Sequence, residues 1–298
     1  MRILLTGTSG QVGGALLPIL GDKHEVIAPP RSIFDFAAPD TLDSALDKFA
    51  CDLIVNPAAY TAVDRAEDEP DLAFQINRDA PRVIARWAAK RNVPLIHFST
   101  DYVFNGEGHQ RLREDGPTGP LSIYGKSKLA GEDAIRKAAG PHLIVRTSWV
   151  YAARGSNFLR TIARLARERE ELRIVADQVG APTSAQVIAK AVERLIGKDL
   201  SDLRRRFAEA DGVVNIATAG ETSWHGFAVS IVEGLRSRNI ALAVKSILPL
   251  RTEEYPVKAK RPSNSRLDLT RAREVFGIAT PTWQEALEPE LDVLTGEY

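Results

Sequence analysis

The chain opens MRILLTGTSGQVGG: a short apolar run over residues 2–7, three glycines spaced G-x-x-G-x-x-G (Gly7, Gly10 and Gly13), then the helical pattern QVGGALLPIL. A strand that turns through glycines into a helix lets backbone approach a pyrophosphate closely. Residues without Cβ leave the room, and the helix N-terminus supplies N–H donors and the positive end of its dipole. A tight strand-to-helix turn with no ligand is the plainer reading of the same residues. The rest of the first half favours the first one. The apolar segments HEVIAPP, CDLIVNPAAY, VPLIHFST and HLIVRTSWVY alternate with helical patterns, two of them at 71–91 and 124–139. Strands this apolar, separated by helices of this length, predict an α/β fold with a doubly wound parallel sheet covered on both faces. Residues 1–150 are expected to build that sheet, with later returns around 183–218. Residues 151–298, where the pattern loosens, are expected to form most of a smaller mixed unit.

Composition excludes several classes of function. The 39 basic and 39 acidic residues cancel and are spread along the chain, so no basic stripe marks a nucleic-acid binder. No apolar run approaches the roughly 18–20 residues of a membrane span. The N-terminus reaches its glycines too soon for a signal peptide. A single cysteine, Cys51, permits no internal disulfide and suits a reducing cytoplasm. The histidines at 24, 97, 109, 142 and 225 lack metal-ligand spacing, and His97 reads as part of a buried strand. The charged stretch around 201–210 reads as a solvated helix face or loop.

The end of the second strand selects between dinucleotides: an acid there bonds a ribose 2′-hydroxyl, whereas an arginine accommodates a 2′-phosphate. Here IAPPRS supplies Arg31 and no acid, which points to NADPH, with NADH as the alternative. An exposed loop arginine is the plainer reading.

Downstream, STDYVF and IYGKSKLAGE contain Thr100, Tyr124 and Lys128. Tyr124 and Lys128, four apart, share one helix face. A tyrosine titrates near 10 and needs help at neutral pH; a neighbouring ammonium would favour its phenolate. A depression of three units corresponds to about 4 kcal/mol. Thr100, at the carboxyl end of a strand, lies where open α/β sheets bind ligands, and its hydroxyl could hold a carbonyl or alcohol oxygen. Together with the glycine loop, the three read as a proton-handling site beside a nicotinamide cofactor.

At this point the chain resembles the extended short-chain dehydrogenases/reductases. More narrowly it resembles their dTDP-4-dehydrorhamnose reductases, through GTSGQVG, IVNPAAYTAVDRAE, STDYVFNG, YGKSKLAGE, RTSWVYA, DQVGAPT and RPSNSRLD, which run from residue 7 to 268. The resemblance implies a Rossmann-type cofactor domain and a C-terminal substrate domain. It implies NADPH-dependent reduction of the C4 keto group of a dTDP-linked sugar, with Thr100, Tyr124 and Lys128 as catalytic residues. It places Gly7, Gly10, Gln11 and Val12 along the pyrophosphate, Asp35 and Phe36 near the adenine, and Ala58, Ala59 and Tyr60 beside the cofactor. Thr61, Val63, Tyr102 and Trp149 become substrate contacts, and Asn157 and Arg261 reach toward the nucleotide's phosphates. Core packing is the plainer reading of Trp149, and a surface ion pair that of Arg261. Some members of the family are dimers joined by Mg²⁺ through glutamates. The corresponding positions here are Ala15, Gln186 and about Val293, so no metal is expected, and a monomer or a metal-independent dimer is. Glu288 or Glu290 could rebuild such a site in a shifted register. Two rival readings share the fold: a reductase or epimerase of another nucleotide-linked 4-keto sugar, and a non-catalytic regulatory subunit.

Overall fold

A strand that is apolar at every position can be buried only if both faces of its sheet are covered. The computed structural model describes residues 1–197 and 199–296. Strands β1 (Arg2–Leu5), β2 (Glu25–Ile27), β3 (Leu53–Asn56), β4 (Leu95–Thr100) and β5 (His142–Thr147) join the later strand Val213–Asn215 in one six-stranded parallel sheet. Its order is Val213–Asn215, β5, β4, β3, β1, β2. Period-two alternation sorts the side chains onto two faces. Ile3, Leu5, Leu53, Val55, Ile96, Phe98, Leu143 and Val145 enter one core, while Leu4, Ile54, Leu95 and Ile144 enter the other.

The first core is closed by α1 (Gln11–Gly21), by the helices Ala185–Ile196 and Leu200–Glu209, and by the helix Thr270–Phe276. The return around 183–218 therefore carries helices and the edge strand. The segment 270–278, which sequence reading left in the second unit, also lies on this sheet. The charged stretch near 201–210 is amphipathic, because Leu203 and Phe207 are buried in the same core. On the opposite face lie the helices Leu42–Leu46 and Ala80–Lys90, together with Ile135 of the helix Ile123–Ala138. The helical pattern at 71–91 is interrupted: Pro70–Phe74 and Ala80–Lys90 flank a π-turn at Gln75–Asp79. Pro81 has no N–H for the carbonyl of Asn77, and its ring crowds that oxygen. The wider turn makes room for it.

A separate core gathers Tyr151, Leu159, Ile162 and Leu172 with Phe227, Ile231, Leu235, Trp283, Leu287 and Leu291. Its elements are the helices Phe158–Glu168, Trp224–Ser237 and Trp283–Thr295, and the paired strands Glu171–Val175 and Ser246–Leu250. Between the cores, the short strands Thr222–Ser223, Val179–Gly180 and Asn264–Ser265 form a three-stranded ribbon. β1 has β2 on one side and β3 on the other, so the chain's direction across the sheet reverses there. Open α/β sheets take their ligands outside the carboxyl ends of the strands at such a point. Among the described residues, no helix is long and apolar enough to cross a membrane.

Candidate active site

The glycine loop leaves β1 at Thr6 and enters α1 at Gln11. Gly7 has φ +60°, and a Cβ there would stand 2.9 Å from the backbone of Ala58, so the loop needs glycine for both conformation and space. A Cβ at Gly13 would run into the carbonyl of Gly7. Gly10 N–H donates to Gly7 O at 3.0 Å, and Gly10 caps α1 without any side-chain hydrogen bond. With no side-chain cap on the helix, the first N–H groups of α1 are left to an external acceptor. These residues fit a dinucleotide pyrophosphate.

At the end of β2, the Arg31 side chain is 81% exposed, with its Nε 3.5 Å from Asp35 Oδ1. Asp35 also accepts from Ala37 N–H at 3.1 Å. Phe36 pairs with Phe34 in the core beneath the sheet, so its ring serves packing first. Beyond β3, Ala58 N–H lies 3.4 Å from the hydroxyl of Thr6. Tyr60 is held by Asn77: Tyr60 N–H donates to Asn77 Oδ1 at 2.9 Å, and Asn77 Nδ2 donates back to Tyr60 O at 3.0 Å. The same Nδ2 reaches Ser127 Oγ at 3.0 Å, and Ser127 donates to Tyr124 O at 2.8 Å. The π-turn therefore ties the cofactor-side loop to the helix that carries Tyr124.

That helix, Ile123–Ala138, starts on Ser122, whose hydroxyl accepts from Gly125 N–H. It buries Tyr124 and Lys128 against the end of β4. Tyr124 packs with Tyr60, Val63 and Tyr102; the rings of Tyr102 and Tyr124 meet edge-on, 5.4 Å apart. Thr61 is exposed at the rim. Thr100 ends β4, donates to Asp101 Oδ1 at 3.0 Å and accepts from Tyr102 N–H at 3.2 Å. Burial pushes the Tyr124 phenol up, against a smaller pull downward from its hydrogen bond to Thr100. Burial thus opposes the phenolate that a neighbouring ammonium would favour. Lys128 Nζ donates a hydrogen bond to Phe98 O at 2.6 Å. Burial also pushes Lys128 down to about 8, against the upward effect of Glu132. A phenol kept protonated is the form that can donate to a developing alkoxide.

Sequence reading did not single out Asp101. This fully buried carboxyl is pushed up to about 6 by burial, against hydrogen bonds from Ser265 and Thr100. Ser265 donates to its Oδ2 at 2.5 Å. Ser265 belongs to RPSNSRLD, and its strand partner Gly180 belongs to DQVGAPT. RPSNSRLD therefore meets the end of β4 directly, and DQVGAPT reaches it through that strand pairing, although both are far from β4 in sequence. Trp149, with φ +49°, is 9% exposed and stacks on Trp224 at 3.6 Å, with Gly180 against its edge. Packing accounts for that burial, as the plainer reading of Trp149 had it.

Asn157 and Arg261 are engaged within the protein. Asn157 caps the helix Phe158–Glu168, and its Nδ2 donates to Ala152 O, Arg154 O and Gln11 Oε1 at 2.8–3.0 Å. Its amide hydrogens are occupied, and its direct link is to the glycine loop rather than to an outside phosphate. Arg261 pairs with Asp64 at 2.8 Å, the ion pair expected as its plainer reading. A cavity of about 680 Å³ opens beside Asn157, lined by Gly155, Ser156, Arg160 and Arg164. Ala15 is buried in the core, whereas Gln186 and Val293 are exposed. Glu290, 5% exposed, turns inward to accept from Ala153 N–H at 2.6 Å, so it is not placed to rebuild a metal site at the surface.

Comparison with known proteins agrees with this geometry. Residues 1–295 match the family model described as the RmlD substrate binding domain. A dTDP-4-dehydrorhamnose reductase of Burkholderia thailandensis is 44% identical over 289 residues, covering 96% of this chain and 97% of that one. The crystal structure of a dTDP-4-dehydrorhamnose reductase from Clostridium acetobutylicum superposes with a TM-score of 0.88 at 35% identity, covering 99% of this chain and 100% of that chain. That of the Bacillus anthracis reductase, in complex with NADP, gives a TM-score of 0.87 at 32% identity, covering 98% of each. With its glycine loop, its buried Thr100, Tyr124 and Lys128 and this full-length likeness, the chain belongs to the dTDP-4-dehydrorhamnose reductase family.

Proposed function

We propose that the chain reduces the C4 keto group of dTDP-4-dehydro-L-rhamnose to dTDP-L-rhamnose with NADPH. The observation that carries this reading is the buried cluster of Thr100, Tyr124 and Lys128 at the end of β4, one strand from the glycine-loop crevice. NADPH, when bound, supplies the hydride. Gly7, Gly10, Gln11, Val12 and Gly13 would hold its pyrophosphate and Arg31 its 2′-phosphate. Asp35 and Phe36 would border the adenine, and Ala58, Ala59 and Tyr60 would flank the bound cofactor. Thr61, Val63, Tyr102 and Trp149 would face the sugar nucleotide, with Arg261 near Tyr102.

Thr100 and Tyr124 together hold the keto oxygen. As negative charge grows on that oxygen, Tyr124 passes its phenolic proton to it and is left as phenolate. The amino group of Lys128, on the same helix face, would orient the nicotinamide ribose and offset the new negative charge; Tyr124 would border the cofactor as well. Because burial disfavours both the phenolate and the ammonium, the two charges are more stable together than apart. We read residues 1–150, with their later returns, as the cofactor half and most of 151–298 as the substrate half. The reading extends to a cytoplasmic monomer or metal-independent dimer, for which the half-buried lone Cys51 suits a reducing compartment.

The test supplies the purified protein with NADPH and the keto sugar made in situ by upstream enzymes, and identifies the product by NMR. The expected product is dTDP-L-rhamnose. A C4 epimer would point to another sugar reductase, and a rearranged keto sugar with no NADPH consumed would point to an epimerase.

A further inference from the structure

Alternation along the strands puts Leu4 with Thr6, Ile54 with Asn56 and Leu95 with His97 on one face of the sheet. Leu4, Ile54 and Leu95 are apolar core. One step nearer the carboxyl ends, the same face turns polar: Thr6, Asn56 and His97 are all buried. They form a rung across three strands. Thr6 donates to Asn56 Oδ1 at 2.6 Å, and Asn56 Nδ2 stands 3.0 Å from His97 Nδ1. His97 Nε2 stands 3.4 Å from Lys128 Nζ. Asn56 and His97 are register partners, and Thr6 N–H continues the ladder onto Val55 O. Replacing core side chains by three polar ones is unfavourable unless each is hydrogen-bonded. Here each is, and the rung runs from the residue before Gly7 to the amino group of Lys128.

A neutral imidazole offers one N–H and one lone pair. With Asn56 Nδ2 donating to Nδ1, the ring N–H lies on Nε2, facing Lys128; an ammonium has no lone pair to accept it, so the ring acts there as a stop that bounds how close the amino group can come. Asn56 and Thr6 thereby fix both the plane and the tautomer of the ring. The rung is a support rather than a proton path, because an amide does not relay protons as a hydroxyl does. Lys128 has a second restraint in Phe98 O, at 2.6 Å, on the residue next to His97. The carbonyl draws the amino group in, and the ring N–H limits its position on the other side.

We propose that His97, locked by Asn56 and Thr6, is a positioning residue that sets where the amino group of Lys128 stands at the end of β4. The inference rests on the role of Lys128 proposed above. It is tested with His97→Asn, His97→Phe and His97→Gln, and with Lys128→Met alongside. NADPH affinity is measured by fluorescence titration, and kcat and KM by steady-state turnover. A glutamine amide can reach the place of Nε2, whereas asparagine reaches only that of Nδ1, and phenylalanine keeps the volume without polar atoms. His97→Asn and His97→Phe are expected to raise the NADPH Kd and lower kcat by about tenfold or more, with the KM for the keto sugar unchanged. His97→Gln is expected to stay within about threefold of the native protein. The proposal is overturned if the Asn and Phe variants match the native protein while Lys128→Met is impaired. It is equally overturned if His97→Gln falls as far as they do, since the defect would then lie in packing. If Lys128→Met itself binds NADPH and turns over normally, the assigned role of Lys128 fails first. Should the Asn and Phe variants not fold, Asn56→Thr decides, since it shortens the rung one residue away. Its NADPH Kd and kcat are expected to shift in the same direction, and native values for both would overturn the proposal.

Discussion

Gly180→Ala tests whether the ribbon between the two cores positions the end of β4. A Cβ at Gly180 would stand 2.8 Å and 3.1 Å from two carbons of the Trp149 indole and 3.0 Å from Ser265 Cβ. Carbon atoms settle at about 3.5–4.0 Å, so the neighbours must give by roughly 0.4–0.7 Å or more. Trp149 cannot retreat easily, because it is already held by the stacked ring of Trp224 at 3.6 Å. Ser265 can move only by stretching its 2.5 Å bond to Asp101, which in turn holds Thr100. Overpacking of this kind costs about 1–3 kcal/mol, partly offset by about 0.4–1 kcal/mol from a stiffer unfolded chain. The expected result is a Tm lower by a few degrees, with kcat/KM down about tenfold or more as Thr100 is displaced. Gly21→Ala is the control, since a Cβ there meets nothing within 4 Å. It is expected to leave activity unchanged and raise stability slightly. Thermal melts and steady-state kinetics on both variants settle the matter. A Gly180→Ala protein with native Tm and native kcat/KM would refute the reasoning.

Three further outcomes are expected. Tyr124→Phe lowers kcat by about a hundredfold or more with NADPH affinity retained; near-native turnover would remove Tyr124 from the proton transfer. The native protein prefers NADPH, and Arg31→Ala narrows the ratio of kcat/KM for NADPH over NADH, because the exposed Arg31 is the cation available at the end of β2; equal ratios in the native protein would contradict this. Asp101 titrates at about 6 when folded against a reference of 3.8, so the folded state binds more protons between about pH 4 and 6 and its stability falls as pH rises through that window. Asp101→Asn is therefore expected to flatten the dependence of Tm on pH there, and an unchanged slope would show that other carboxyls set it.

The parallel sheet was legible because burial on both faces forces strands to be mostly apolar, and β1, β3, β4 and β5 each carry such a run in the sequence. The glycine loop was legible because Gly7 and Gly13 are required by space that only a glycine leaves. Tyr124 and Lys128 were legible because helical spacing is local. The ribbon was not, since Val179–Gly180 and Asn264–Ser265 are two residues each, too short to show any period. The contact of Ser265 with Asp101, 164 residues apart, follows from tertiary structure alone. His97 read only as part of a buried strand; its register with Asn56 becomes visible once β3 and β4 are paired. The effect of burial on Tyr124 was not legible, because proximity to Lys128 is local whereas desolvation depends on everything packed around the ring. For Asn157 the sequence shows an amide, but not that Gln11, Ala152 and Arg154 accept from it.

The central claim is that this site moves hydride to the sugar while Tyr124 supplies the proton. The most direct measurement uses NADPH deuterated at the transferring position of the nicotinamide, with dTDP-4-dehydro-L-rhamnose as substrate, and locates the label by NMR. The account predicts one deuterium at C4 of the sugar for each NADPH oxidised in the native protein, with the same position labelled about a hundredfold or more slower in Tyr124→Phe. Deuterium at another carbon, or product formed without label, would contradict it.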